Sequence, residues 1–397
     1  MNIIFDKKRM TFVHNEISQS PIFWGATDEL LPYSPENSKN QIGRIVVKKT
    51  DCRVGPLVGI LTSRTKDGDI VGSKELFISI QKELQISGGL SYVYTLEDCK
   101  NDFINGAFYI EEDDVWIKSN FPYPNIIYNR ISSRIEEKND QFFQHKISAS
   151  NNGIFFFNPA FIDKFSMFRL FSKNSLLRPL LPPTRMIKEQ QELEEFLSQY
   201  KNIYLKPTIR SQGNGIFYIK KEGNGPYFCQ KAKQKKEFYS FYDLWNYIEK
   251  SILKYPYIAQ KDIDSAKIDD KKYDYRILSH FTHNEYIITG IGIRVADSDR
   301  ITTHVTKGGY ILPYNEIRQQ SLEKVFQWIL KECGETLSNE YGTFAEFTID
   351  LGRDHSGKLW IFEVNAKPMT FDENEIEKSR IQTLVNIFYE QSIFNNN

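Results

Sequence analysis

Three oxygen-bearing side chains near the carboxyl end of the chain, Asp350, Glu363 and Asn365, could bind a divalent cation. Apolar residues predict a buried strand over 344–351, a polar turn over 353–357 and a returning strand from 359. In such an antiparallel pair we expect Asp350 and Glu363 to lie close together, with Asn365 on the same face as Glu363. Two carboxylates and an amide oxygen suit Mg²⁺ or Mn²⁺, particularly when nucleotide phosphates complete the coordination.

A simpler interpretation of the same hairpin stays open, in which the acidic residues are merely solvated. Without a metal ion, two adjacent carboxylates are expected to repel each other. The metal interpretation gains support from the ending Glu-x-Asn-x-Lys-Pro, which follows an apolar strand and has an aspartate upstream. The hairpin is therefore a candidate metal site.

A lysine and a glycine-rich loop form a second candidate site. Lys206 ends an apolar strand just before a proline, and residues 210–215 follow with glycines at 213 and 215. A lysine can place a positive charge on phosphates, and backbone N–H groups freed by glycine can approach the same oxygens. A plain hairpin turn remains the alternative, since a second Gly-Asn-Gly occurs at 223–225. The sequence has neither a P-loop motif nor a Gly-x-Gly-x-x-Gly that opens a helix.

Periodicity along the chain predicts the elements that must position these residues. Residues 56–62, 91–95 and 125–130 are predicted strands and 74–86 a helix, which indicates a small parallel α/β layer and a separate domain ending near residue 150. Further helices are predicted over 162–171, 189–200, 240–253 and 376–393, with another around Leu322–Leu330. Further strands are predicted over 202–207, 216–220, 257–260, 275–281, 286–294 and 301–305.

Composition narrows the classes of protein to which this chain could belong. The 397 residues carry 51 Lys or Arg and 51 Asp or Glu, so no net charge steers the protein toward nucleic acid or an anionic membrane. Its four cysteines are scattered, which favours a reducing, intracellular setting. Neither a signal peptide nor an apolar run of transmembrane length is recognisable, so a cytoplasmic location is expected.

The order of these motifs resembles the ATP-grasp superfamily: lysine, glycine loop, hinge, Asp-x-Arg, and then Asp followed by Glu-x-Asn. More specifically, the chain resembles the YheC/YheD-type ATP-grasp family, which is associated with bacterial endospore coats. The stretches that carry this resemblance lie at residues 55–62, 121–130, 181–185, 205–216, 308–309 and 359–368. The resemblance implies an ATP-grasp fold of the α/β (α+β) class. It also implies a pre-ATP-grasp-like α/β domain over residues 1–150 and a nucleotide-binding domain over 151–397, with lobes at roughly 151–260 and 261–397.

Carried over by position, the resemblance assigns roles in binding ATP and Mg²⁺ (or Mn²⁺). Asp350, Glu363 and Asn365 are implied as the metal ligands. The implied nucleotide contacts comprise two phosphate lysines, a mobile lid and a hinge that binds adenine, at Lys164, Lys206, Ser211, Gly213, Gly215, Gln260, Lys261 and Ile263.

Three cations are implied to face an acyl phosphate. Arg276 and Arg294 lie in the Asp-Tyr-Arg and Gly-Ile-Arg motifs, and Lys367 follows the metal strand. A cation aimed at a developing oxyanion lowers the reaction barrier, so these are the candidate catalytic residues. Each of them could instead be a structural ion-pair partner, and the same alternative stays open for Lys164.

The resemblance implies an ATP-dependent ligase that joins a carboxylate to an amine or thiol through an acyl phosphate. One alternative is a structural spore-coat protein that binds nucleotide with little or no turnover. Another is kinase-like use of the same site. The expected partners are ATP, an unidentified carboxylate and amine pair, and spore-coat proteins, and the expected location is the cytoplasm or the spore coat.

Overall fold

A computed structural model describes residues 1–35, 40–210, 213–223, 225–297, 301, 303 and 308–394. Helices and sheets are mixed throughout these ranges, as the α/β (α+β) fold class predicts. In the described part of the chain, no helix combines the length and apolar character needed to cross a membrane.

The beginning of the chain forms two small sheets, with strand orders β2-β1-β5 and β4-β3-β7-β6. Their apolar side chains, including Phe12 and Trp24, share a core with Leu57 and Tyr92 of the sheet that follows. The strands are β1 (Asn2–Asp6), β2 (Thr11–His14), β3 (Phe23–Trp24), β4 (Glu29–Leu30), β5 (Gln41–Val46), β6 (Lys49–Thr50) and β7 (Arg53–Val54).

The next sheet has the order β11-β10-β9-β8-β12-β13. Its strands β8, β9, β12 and β13 run parallel, which confirms the parallel layer predicted from the sequence. Ser73 caps the first helix, whose bounds match the prediction. The elements are β8 (Leu57–Leu61), α1 (Lys74–Ile86), β9 (Leu90–Tyr94), β10 (Ile104–Ile110), β11 (Val115–Phe121), β12 (Ile126–Asn129), α2 (Asp140–Asn151) and β13 (Phe155–Phe157).

An antiparallel sheet of order β14-β19-β15-β16-β17-β18 follows, and apolar residues of helices α4 and α5 pack on one face of it. Its central strand β15 alternates, with Ile203 and Leu205 buried in that core and Lys206 on the opposite face. The elements are α3 (Lys164–Lys173), β14 (Thr184–Ile187), α4 (Gln190–Tyr200), β15 (Asn202–Pro207), β16 (Phe217–Lys221), β17 (Tyr227–Lys231), β18 (Gln234–Phe238), α5 (Phe241–Lys254) and β19 (Tyr257–Lys261).

The last sheet is also antiparallel and has the order β23-β22-β21-β24-β25. Helix α6 packs on one face through Phe326, Ile329 and Leu330. Helix α7 buries Leu384 and Phe388 against the parallel sheet. The elements are β20 (Lys267–Ile268), β21 (Lys271–Thr282), β22 (Glu285–Val295), β23 (Tyr310–Leu312), α6 (Gln320–Tyr341), β24 (Glu346–Arg353), β25 (Leu359–Asn365) and α7 (Asn374–Glu390).

Most predicted elements are present, with shifted ends. The helix predicted from residue 162 begins at Lys164, because the Asp163 carboxylate caps it by accepting hydrogen bonds from the N–H groups of Phe165 and Ser166. The hairpin β10–β11 and the helix α2 were not predicted. Most of the strand predicted over 301–305 lies outside the described residues.

Candidate active site

The hairpin β24–β25 carries the three proposed metal ligands in two nearby cross-strand residue pairs. Asp350 is the register partner of Glu363, and Thr348 is the partner of Asn365. Since alternate residues of a strand share a face, the three side chains stand on one face of the sheet. The turn is fixed by Asp354, whose carboxylate accepts hydrogen bonds from the N–H groups of Ser356 and Lys358.

Each of the two carboxylates lies beside a cation, which offsets the repulsion expected between them without a metal ion. Lys164 Nζ lies 3.0 Å from Glu363 Oε1, and Arg294 Nη2 lies 2.8 Å from Asp350 Oδ2. The other oxygen of Asp350 is buried and has no hydrogen-bond partner among the described residues. Asp350 therefore keeps one free acceptor atom inside the site.

Arg294 is held by two aspartates. Its Nε and Nη2 atoms donate to the Asp274 carboxylate at 2.8 and 3.0 Å, and Thr303 also donates to that carboxylate. Burial on its own would lower the pKa of Arg294, but Asp274 and Asp350 together raise that pKa above its usual range. The guanidinium is thus a fixed positive charge beside the proposed metal ligands.

Lys206 lies between the two antiparallel sheets. Its Nζ donates to Gln260 Oε1 at 2.7 Å, and the Gln260 amide donates in turn to Thr184 Oγ1 at 3.1 Å. Loss of contact with water lowers the pKa of Lys206 to about 8, while Glu363 opposes that shift and Lys164 adds to it. An anion beside this ammonium group would stabilise its charged form.

One cavity between the two antiparallel sheets contains most of the predicted site. Eight of the proposed site residues line it: Lys164, Lys206, Gln260, Lys261, Ile263, Arg294, Asp350 and Glu363. Sequence reasoning missed its apolar walls, which include Tyr204, Ile216, Tyr273, Ala296 and Phe362. Strand alternation was the available signal for Tyr204, which stands two positions from Lys206. It gives no such signal for Phe362, which is adjacent to Glu363 and lies at the register shift between β24 and β25.

Sequence reasoning also missed a polar pair at the edge of the cavity. Lys272 Nζ lies 3.0 Å from Asp262 Oδ1 and 3.2 Å from the Tyr204 hydroxyl, and the Tyr218 hydroxyl donates to Asp262 at 3.1 Å. Burial would lower the pKa of Lys272, but Tyr204 and Asp262 raise it overall. This network fixes the segment that follows β19.

Five of the proposed site residues that the structure describes do not line this cavity: Asn365, Arg276, Lys367, Gly213 and Gly215. Arg276 Nη2 donates to the Met369 carbonyl at 3.1 Å, its guanidinium lies 4.6 Å from the centre of the Phe371 ring, and burial lowers its pKa. Lys367 pairs with Glu137 and donates to the Ile131 carbonyl at 3.0 Å, and burial lowers its pKa to about 8. Both cations thus have structural partners, and their catalytic roles stay predictions.

The glycine loop between β15 and β16 is described only in part. Gly213 and Gly215 have φ angles of 67° and 81°, a left-handed conformation that glycine adopts without strain. The Tyr257 hydroxyl donates to the Gly215 carbonyl at 2.9 Å. Ser211, the other proposed lid residue, lies outside the described residues.

A buried charge network connects the parallel sheet to the hairpin β24–β25. Arg380 Nε lies 2.5 Å from Glu346 Oε1, and the Tyr128 hydroxyl donates to Glu346 Oε2 at 2.5 Å. Arg130 and Arg380 both donate to the Pro368 carbonyl, at 2.8 and 3.2 Å. The segment that follows Asn365 is thus fixed by Arg130, which comes directly after β12, and by Arg380 of α7.

Comparison with known proteins identifies the family of this chain. A family model described as YheC/D like ATP-grasp matches residues 153–394. The chain belongs to this family. It is 25% identical over 349 residues to the endospore coat-associated protein YheD of Bacillus subtilis, a match that covers 82% of this chain and 75% of YheD. It is 23% identical over 218 residues to YheC of the same organism, covering 52% of this chain and 60% of YheC.

Solved structures resemble this family member in fold. D-alanyl-alanine synthetase A from Vibrio cholerae has a TM-score of 0.50 at 11% identity, covering 84% of this chain and 98% of that one. The VanG D-Ala:D-Ser ligase from Enterococcus faecalis has a TM-score of 0.50 at 12% identity, covering 85% and 98%. At these identities the likeness concerns the fold alone, and it agrees with the ATP-grasp fold implied by the sequence.

Proposed function

We propose that this ATP-grasp protein is an ATP- and Mg²⁺-dependent ligase that joins a carboxylate to an amine or thiol. The observation that carries the proposal is the cavity between two antiparallel sheets in which Lys164, Lys206, Arg294, Asp350 and Glu363 meet. In this proposal residues 1–150 form the N-terminal domain, and residues 151–397 form the nucleotide-binding domain with lobes divided near residue 260.

Within the proposed site, each group of residues has one task. Lys164 and Lys206 hold the phosphates of ATP, and Gly213 and Gly215 belong to the proposed lid. Gln260, Lys261 and Ile263 hold adenine beside the apolar wall that contains Ile216 and Phe362. The lowered pKa of Lys206 supports its role in binding phosphate. Burial destabilises the charged ammonium form, and binding a polyanion would offset that cost.

Asp350, Glu363 and Asn365 are the proposed Mg²⁺ ligands. Among the described residues, no three His, Cys, Asp or Glu side chains group closely enough to hold a metal ion. Two carboxylates with one amide fit a cation that takes part of its coordination from phosphate and water. The buried oxygen of Asp350 without a hydrogen-bond partner fits this use as well. A bound Mg²⁺ would neutralise charge on the phosphate oxygens as the γ-phosphoryl group moves.

The proposed reaction has two steps. A carboxylate oxygen of the first substrate attacks the γ-phosphorus of ATP, which forms an acyl phosphate and releases ADP. The amine or thiol of the second substrate then attacks the acyl carbon, loses its proton, and displaces inorganic phosphate. Arg294, together with Arg276 and Lys367, supplies positive charge near the reacting oxygens, and a closed lid keeps water from the acyl phosphate.

The names of the structural neighbours support this reaction class. One is a D-alanyl-alanine synthetase and the other a D-Ala:D-Ser ligase, so both act on amino acids. Since one fold can host many ligations, the likeness favours the class of reaction and leaves the substrate pair open.

A second proposal is a structural role in the spore coat with little or no turnover. The observation that favours it is the endospore coat association in the name of YheD, which aligns with 82% of this chain. In that case the site binds nucleotide and the chain contacts spore-coat proteins.

The ligase proposal and the structural proposal predict different results in an assay of ATP consumption with Mg²⁺ and pooled amino acids and peptides. The ligase proposal predicts release of ADP and phosphate that depends on the pool and is lost in Glu363→Ala. Turnover that Glu363→Ala leaves unchanged would remove the proposed metal role. ATP binding without turnover would favour the structural role, and phosphate release without a ligated product would favour the other alternative, kinase-like use of the site.

A further inference from the structure

A positively charged groove lies beside the glycine loop, outside the proposed nucleotide cavity. It has a volume of about 580 Å³, and its lining includes Arg210, Lys231, Lys250 and Lys254. No aspartate or glutamate is among its described lining residues, although the whole chain carries equal numbers of acidic and basic residues. Residues 210–254 contain nine Lys or Arg and four Asp or Glu, so the positive charge is concentrated in this part of the chain.

From the described residues we infer that this groove binds an extended, carboxylate-rich polypeptide segment. Lys250 and Lys254 stand one turn apart on α5, which places neighbouring side chains about 6 Å apart. Alternate side chains of an extended strand repeat at about 6.7 Å, so two acidic side chains on one face of the segment can each reach one lysine. Arg210 and Lys231 supply further positive charge along the same groove.

The lining favours a polypeptide over a phosphate polymer or a single-stranded nucleic acid. Ile209 and Tyr257 give the groove apolar surface, which contacts a peptide backbone and its methylene groups. Bases of single strands usually stack on open aromatic rings. Here the Arg210 guanidinium already covers the Tyr255 ring, 4.1 Å from its centre.

The groove shares a loop with the nucleotide cavity. Gly215 lines the groove, whereas the next residue, Ile216, lines the cavity. The Arg210 carbonyl also accepts a hydrogen bond from Lys164 Nζ at 2.9 Å. A segment bound in the groove therefore contacts the loop that borders the proposed ATP site, which suits a polypeptide substrate or a protein partner.

The test measures fluorescence anisotropy of fluorescein-labelled octaglutamate with the full chain and no nucleotide, so it does not depend on the proposed ATP chemistry. The groove variant is Lys250→Gln/Lys254→Gln. Its control, Lys324→Gln/Lys331→Gln, removes the same charge from exposed positions on α6. We expect binding that weakens with salt, with about tenfold loss in the groove variant and none in the control. Thermal unfolding of both variants checks that they remain folded.

Three results would overturn the inference. The first is that octaglutamate binds no better than octaglutamine. The second is that the groove variant and the α6 control lose affinity equally, which would indicate attraction by net charge alone. The third is that polyphosphate or a single-stranded DNA oligonucleotide of equal charge displaces octaglutamate at a lower concentration than unlabelled octaglutamate does, since the groove would then prefer a phosphate polymer.

Discussion

Arg294 and Asp350 form a buried ion pair, with 2.8 Å between Nη2 and Oδ2, at the centre of the candidate site. Each is at most 5% exposed. The same guanidinium also holds Asp274, so one cation balances two carboxylates, one of which is a proposed metal ligand. A metal ion bound to Asp350 would share this carboxylate with Arg294.

Replacing this arginine should leave two buried carboxylates without a counter-charge. We expect Arg294→Gln to lower the free energy of unfolding by about 3–5 kcal/mol, the usual effect of breaking a buried ion pair. Mg²⁺ should restore more stability to this variant than to the unmodified protein, because it can replace the missing charge. Urea denaturation with and without Mg²⁺ measures both effects. Arg318→Gln, which breaks an exposed pair with Glu323, should change stability much less, because solvent screens that pair.

Nucleotide binding should depend on pH through Lys206. Its pKa is lowered to about 8, so Lys206 in the nucleotide-free protein loses its positive charge as pH rises through 8. The charged form, which attracts phosphate, predominates only below that value. We therefore expect ATP affinity to fall between pH 7.5 and 9, with proton uptake on binding at pH 8.5. Calorimetry in buffers of different ionisation enthalpy detects that uptake. Lys206→Gln should bind weakly at every pH and take up fewer protons, and equal proton uptake in both proteins would contradict the assignment.

The buried network around Glu346 should contribute strongly to stability. Glu346→Leu removes the fully buried carboxylate that pairs with Arg380 and leaves this buried arginine with the less buried Glu377 as its carboxylate partner, and we expect a loss of about 3–5 kcal/mol in chemical denaturation. The double variant Glu346→Leu/Arg380→Leu removes both charges and should recover part of that loss. If the double variant lost more stability than Glu346→Leu and Arg380→Leu lose together, the ion pair would not be the cause of the loss.

Gly352 lies against Phe362, which belongs to the apolar wall of the cavity, so a substitution there tests whether the nucleotide contacts this wall. A side chain on Gly352 would place its Cβ 2.2 Å from the Phe362 ring, so Gly352→Ala must displace that ring, which lines the cavity. We expect weaker ATP binding in calorimetry, by about tenfold, with the protein still folded. Gly352→Ala/Phe362→Leu relieves the contact and should bind better than Gly352→Ala alone. Unchanged affinity in the single variant would show that the ring does not contact the nucleotide.

The hairpin was predictable because its signals are local. Apolar alternation and one polar turn determine which residues of two adjacent strands face each other, so the pairing of Asp350 with Glu363 follows from spacing. The family resemblance also assigned Lys164, Lys206 and the hinge residues to one nucleotide site. They come from separate elements, and they line one cavity.

Partners that meet only through tertiary packing were missed. The pairs of Arg294 with Asp350 and of Lys164 with Glu363 join residues 56 and 199 positions apart, which no periodicity reveals. Glu346 did carry a local signal, because a carboxylate inside a buried apolar strand requires a cation. The identity of that cation, Arg380, depends on how α7 packs, and the sequence pattern did not show this packing.

The most direct test of the account is calorimetric titration of ATP with and without Mg²⁺ into the unmodified protein and Glu363→Gln. We predict that Mg²⁺ strengthens ATP binding to the unmodified protein and that Glu363→Gln loses most of this gain while still binding metal-free ATP through its lysines. Equal strengthening by Mg²⁺ in both proteins would contradict the proposed metal site, and with it the assignment of this cavity to Mg²⁺-dependent ligation.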